Sequence, residues 1–174
     1  MSTQQQTTSF KLCNKIQTMS NKNALYWIKK LDLQKHPFMD SGYFKETFRD
    51  NNQVTISNQE TRAASTLIYF LHLPEGQVGP DKTFYRSKSS VISHFYDGQP
   101  IKIFLLDEDK QVQSVTIGPE EQLHHVVKPG TWFSRFLDLE PEPDLEKSSF
   151  SLVGVTVSPG FDLKDLESLP LKDI

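Results

Sequence analysis

The chain has 174 residues, a mass of 20.0 kDa and a formal net charge of −3. That length suits one domain with a substantial core. The absence of a basic block argues against nucleic-acid binding, which needs clustered Lys and Arg, and no apolar run reaches the roughly 18 residues of a membrane span.

The N-terminus, "MSTQQQTTSF", is polar and has no apolar stretch of the kind that begins a secretory signal. Residues 1–20 are expected to form a flexible tail on a cytoplasmic protein, and residues 21–174 a single domain. Cys13 is the single cysteine, so no internal disulfide or multi-cysteine zinc site is possible. Nothing near it would activate it as a nucleophile. The segment "NKNALYWIKKLDL" has helical period, with Ala24, Leu25, Ile28 and Leu31 on one face. Asn21 or Asn23 is placed to cap its start, and Pro37 is expected to end it.

Strand signals follow. "GYFKETFR" alternates, with Phe44, Glu46 and Phe48 on one side, and "ASTLIYFLHL" reads as a strand covered on both faces. "TFYRS", "VISHFYDG", "PIKIFLLDED", "QVQSVTIG", "HHVVKPGTWFSRFLD" and "SFSLVGVTVSPGF" come at short intervals. Turn residues separate them, among them Pro80, Gly98, Pro100, Gly118-Pro119 and Pro129-Gly130. Twelve Phe, five Tyr and two Trp favour pleated, half-buried surfaces. Many short strands at regular spacing point to an all-β sandwich or barrel.

Several segments resemble, in order, the cupin superfamily, and within it a small branch of uncharacterised, sugar-epimerase-like single-domain cupins. These are "YWIKKLDLQKHP" with "SGYFKETFR", "RAASTLIYFL", "FYRSKSSVISHFYDGQPIKIFLLD", "VVKPGTWFSRFL" and "FSLVGVTVSPGFDLKDLE". The likeness runs from about Leu25 to Glu167. It implies a double-stranded β-helix, the cupin jelly roll, with a short N-terminal helix, a short C-terminal helix and a functional site in the lumen. It also implies a homodimer. It gives architecture and not a reaction.

The resemblance further locates a metal hairpin whose ligands are missing. Metal-binding relatives have a Glu seven residues before the strand-ending Gly, and here that position is Val91. Tyr85 stands for a ligand His, and Ser93 for a Trp. Val91 cannot coordinate a metal, and Tyr85 replaces imidazole poorly at neutral pH. His94 remains, and His124 stands where relatives often have Gln. Alternation allows only one of His124 and His125 to point inward. No metal and no other cofactor is expected.

Chemistry in the lumen would then rest on other groups. Glu46, between Phe44 and Phe48, is expected to be buried, either paired with Arg62 or Arg86 or serving as a base. Glu46, His94 and Tyr85 are the candidate catalytic residues. Arg62, Thr66, Tyr69, Tyr96, His124 and Trp132 are the candidate ligand-binding residues. Thr66 and Ser65 are also placed to bond within the sheet, and Asp162 to cap the closing helix. The expected function is metal-independent binding of a small molecule in the lumen. The alternative is an isomerase or epimerase acting on a carbohydrate-like substrate, which needs an acid and a base on opposite faces of the sugar ring.

Overall fold

The computed structural model describes residues 22–37, 42–56, 59–74, 82–107 and 109–173. The expected tail over residues 1–20, with Cys13, lies outside them, as do Asn21 and Pro80. Helix α1 (Ala24–Leu31) starts where the Asn23 side chain accepts a hydrogen bond from the Tyr26 amide at 2.8 Å. It stops before Pro37 is reached. Asp32 adopts the left-handed conformation, φ 53°, and its amide turns back to the carbonyls of Ile28 and Lys29. The apolar face of α1 packs on Leu71, Phe150 and Leu152. Trp27 Nε1 donates to Asp97 at 2.8 Å, which ties the helix to the sheet beneath.

Two antiparallel sheets follow. The six-stranded sheet has the order β1 (Gln34–Lys35), β2 (Gly42–Arg49), β5 (Thr66–His72), β12 (Ser151–Ser158), β7 (Ser90–Gly98), β10 (His124–Val127). The five-stranded sheet has the order β13 (Leu166–Pro170), β6 (Thr83–Ser87), β11 (Trp132–Phe136), β8 (Ile101–Leu106), β9 (Val112–Ile117). A small ribbon pairs β3 (Gln53–Thr55) with β4 (Thr61–Ala63). From β5 onward successive strands alternate between the two sheets, except for the β8–β9 hairpin, which is the winding of a jelly roll. The inner faces meet in a core that includes Phe70, Val91, Ile103, Phe133, Val153 and Val155. Among the described residues no helix is long and apolar enough to cross a membrane.

Three local expectations are corrected. First, Phe44, Glu46 and Phe48 do not share a face. The β2–β5 register slips between Glu46 and Phe48, so Phe44 lies opposite Phe70 and Glu46 opposite Ile68, while Phe48 lies opposite Leu67 on the outer face. Second, β7 carries a similar irregularity at Tyr96: Phe95 pairs with Val153 and Asp97 with Leu152. Third, the closing helix is a single 3-10 turn over Leu163–Asp165. Asp162 does cap it, accepting from the Lys164 amide, but the chain then extends into β13.

Candidate functional site

Strand parity places a cation inside the sandwich. Phe133 and Leu137 belong to the inner core, and Arg135 lies between them with the same parity on β11. Its Nη1 donates to the Ser93 hydroxyl at 2.9 Å, and the guanidinium lies 5.4 Å from the Phe133 ring. Among the described residues Arg135 has no ion pair with a carboxylate. Burial pushes its pKa down to about 10. Arg135 is surrounded by protein and only partly accessible.

Two histidines share this interior. His72, 2% exposed, stacks on Phe70 with ring centroids 4.2 Å apart. Ser151 lies directly opposite it on β12 and is fully buried. Among the described residues neither His72 Nε2 nor Ser151 Oγ has a hydrogen-bond partner. His36 anchors its amide on the Gly42 carbonyl, and its ring tilts against Phe44 and Phe70 at 4.8 and 5.3 Å. Gly42 is needed here, because a Cβ would come within 2.6 Å of the Phe70 ring. Burial, and then the Arg135 charge, push the His36 pKa down to about 4. Burial, Arg135 and His36 hold His72 well below its ordinary value. Both imidazoles are therefore neutral at pH 7, and the Arg135 guanidinium is the cation whose charge both of them feel.

A groove of about 310 Å³ runs beside the β6–β13 edge, lined by Thr83, Tyr85, Leu163, Leu166 and Ser168. Tyr85 pairs with Phe133 and with Ser168 and packs against the inner core. It faces the lumen, as the sequence implies. So does Val91, 4% exposed, in the place where the resemblance puts a ligand Glu. Its methyl groups fill the core and offer no donor. Among the described residues no three His, Cys, Asp or Glu side chains converge on a point. These residues do not fit a cupin metal centre.

Glu46 is not buried. It pairs with Arg49, not with Arg62 or Arg86, through bonds of 2.7 and 2.9 Å. The slip in β2 brings these two residues, three apart, to one face. Arg49 also donates to the Phe161 carbonyl, two residues before Leu163 of the groove. Glu46 thus stands at the rim, on the edge side of β2. Glu46, Ile68, Val155 and Ser93 form one row across the sheet, so three strand spacings, about 14 Å, separate Glu46 from Ser93.

His94 points the other way. Val91, Ser93 and Phe95 face inward, so His94 lies on the outer face, 3.1 Å from the Thr156 hydroxyl. Lys45, Tyr69, Gly154, His94 and His124 form a row on that face. Tyr96 joins it, 5.9 Å from Tyr69 between ring centroids, with its hydroxyl lying over Gly154. Four expected lumen residues, Tyr69, Tyr96, His94 and His124, therefore do come together, but outside. Of the His124-His125 pair, His125 takes the inward parity, opposite Ser93.

Arg62 and Thr66 hold the closing segment. Arg62 is buried, forks onto Asp165 at 2.7 and 2.9 Å, and also bonds Glu60. Thr66 accepts from the Phe161 amide at 3.0 Å. Trp132 lies on the outer face of the smaller sheet, stacked 4.6 Å from the Arg86 guanidinium, which pairs with Glu167. None of the three reaches Arg135. The interior polar group of Arg135, His72, His36, Ser93 and Ser151 was missed. Its signal is present in the sequence as a polar residue on an apolar parity, Arg135 in "WFSRFL" and His72 in "TLIYFLH".

Comparison with known proteins agrees with this architecture. A family model described as Cupin superfamily (DUF985) matches residues 25–169. An uncharacterised protein of Saccharomyces cerevisiae, YML079W, is 31% identical over 140 residues, 72% of this chain. The match spans 66% of the yeast protein, just under two thirds of its length. A hypothetical protein from Leishmania major superposes with a TM-score of 0.68 at 29% identity, covering 84% of this chain and 86% of that one. Protein SO0799 from Shewanella oneidensis gives a TM-score of 0.66 at 25% identity, covering 85% of each chain.

Proposed function

The chain belongs to the DUF985 family of the cupin superfamily, and we propose that it binds a small molecule in the jelly-roll lumen without a metal. The observation that carries this reading is the set of polar groups on the inner faces. A guanidinium that has no carboxylate partner among the described residues, a buried imidazole nitrogen and a buried hydroxyl stand on inner faces that also carry Phe rings. A folded core does not need such groups, and burying them unpaired is costly. They are what a binding site retains: an apolar cavity with a few convergent polar groups.

The lost metal positions support the same reading. Val91 and Tyr85 face the lumen, so the space that a metal and its ligands would use is given to hydrocarbon and a phenol. The isomerase or epimerase reading, and the narrower placement among sugar-epimerase-like cupins, have less support. Proton transfer at a sugar carbon needs a base and an acid within hydrogen-bond reach of one substrate. Glu46 is at the rim, His94 is on the outer face, and only Tyr85 faces inward.

The test is native mass spectrometry of protein purified without chelator, with elemental analysis of the same sample. The expected result is a co-purified or addable small molecule, with metal well below one equivalent per chain. A stoichiometric transition metal that survives dialysis would overturn the proposal.

A further inference from the structure

The interior polar group also has a charge and a shape. Among the described residues the lumen holds one guanidinium, Arg135, and no carboxylate pairs with it. Glu46 is the carboxylate on the inner parity of β2, and Arg49 already holds it at the rim. His36 and His72, the two histidines that the Arg135 charge acts on, are held neutral by burial and by that cation. The inner space therefore carries a net charge close to +1, with one guanidinium nitrogen committed to Ser93 and the rest of its fork uncommitted to any acid.

The interior that holds this cation is rich in rings. Phe133 lies 5.4 Å from the guanidinium, and Phe44, Phe70, Phe95 and Tyr85 pack against the same core. His72 stacks on Phe70, and among the described residues its Nε2 has no partner. A polyol would need donors and acceptors for each hydroxyl, and this surface offers few. A planar carboxylate matches a guanidinium fork in both charge and geometry.

We propose that the lumen takes a small monocarboxylic acid with an apolar or aromatic body, its carboxylate on Arg135 and its body between the Phe rings. This rests on the lumen-binding reading above and narrows it to one chemical class. Arg135 supplies the charge, Ser93 fixes the guanidinium, and the paired, buried His72 and Ser151 offer two further hydrogen-bonding atoms on the same inner face. A monoanion neutralises the site, whereas a dianion would leave a buried charge uncompensated.

Matched pairs test it on the full-length wild-type protein: benzoate against benzamide, phenylacetate against phenylacetamide, with methyl glucoside and inorganic phosphate as further probes. Calorimetric titration and thermal shift read the binding. The expected result is that each acid binds at least tenfold more tightly than its amide, and that phosphate and methyl glucoside bind more weakly than benzoate. Arg135→Gln should remove the preference for the acid, and Ser93→Ala should weaken it without abolishing it. Amides binding as tightly as acids, or methyl glucoside binding best, would overturn the carboxylate class and leave lumen binding standing. No shift with any probe, together with a bare chain in native mass spectra, would overturn both. The wild-type pairs decide the class even if Arg135→Gln does not fold.

Discussion

Arg62 and Asp165, 103 residues apart, are joined by a forked pair of hydrogen bonds at 2.7 and 2.9 Å, and both side chains are nearly inaccessible. The pair fastens the 3-10 turn after β12 to the β3–β4 ribbon. The Arg62 guanidinium holds the Asp165 carboxyl below its ordinary value of 3.8, against the upward push of burial. A lowered folded-state value means that the unfolded chain binds the proton more tightly. The stabilisation is complete above the ordinary value and is lost as pH falls through the lowered one. Asp165→Asn leaves Arg62 buried with a weakened partner. It should lower the melting temperature at pH 7 by about 5–10 °C, with the difference from wild type shrinking in acid below about pH 4. Equal melting temperatures at pH 7 would show that the fork contributes nothing.

Glu46→Gln should have the opposite character. The Glu46–Arg49 pair is 38% and 46% exposed, so solvent screens it. Exposed pairs contribute about 0–1 kcal/mol. The mutant should melt within a few degrees of wild type and bind any lumen ligand unchanged. A loss above about 3 kcal/mol would mean a buried charge, and with it the arrangement expected from strict alternation in β2.

The contrast between these two acids shows what the sequence can carry. The order of strands, the first helix with its Asn23 cap, the Asp162 cap and the inward side of Tyr85 and Val91 all follow from local pattern and family resemblance. Glu46 keeps the parity of Phe44 but is not buried, because the bulge after it turns Phe48 outward and brings Arg49 to its face; nothing in "KETFR" marks that slip, since it alternates as well with the slip as without it. His94 and Tyr96 were misplaced because two faces of a sheet carry similar aromatics in this chain, and only the register of β7 on β12 tells them apart. Arg135 was legible, since period two sets it beside Phe133 and Leu137. A charged residue on a core parity reads as noise until its neighbours across the sheets are known.

The outer face of the six-stranded sheet leads to a prediction about assembly. Phe48, Tyr96 and Val126 are 49%, 47% and 45% exposed, and the row from Lys45 to His124 carries no carboxylate. We expect a second copy of the chain to cover this face about a two-fold axis, the commonest closed symmetry. Sedimentation equilibrium at micromolar concentration should give twice 20.0 kDa, and Val126→Glu should shift the mass towards the monomer. A clean monomer for the wild type would refute the pairing.

Acid should open the lumen before it breaks the Arg62–Asp165 fork. His36 falls from an ordinary 6.5 to about 4, first through burial and then through the Arg135 charge, and His72 is lowered further from 6.5 by the same causes and by His36. For a base with a lowered folded-state value, the unfolded chain takes up the proton first. The native state therefore keeps its full stability above pH 6.5 and loses it progressively as pH falls towards 4, where the His36 contribution ends. At 1.36 kcal/mol per unit, the His36 shift corresponds to at most about 3 kcal/mol. Arg135 stays charged throughout this window, because its value of about 10 lies far above it. Protonating either histidine thus places a second positive charge beside a buried first one. Melting temperatures between pH 7 and 4 should fall steeply for wild type and less steeply for His72→Gln, which cannot take up the proton. Arg135→Gln should also flatten the curve, since the repelling charge is gone. Parallel curves for all three proteins would show that the histidines and Arg135 do not share one interior.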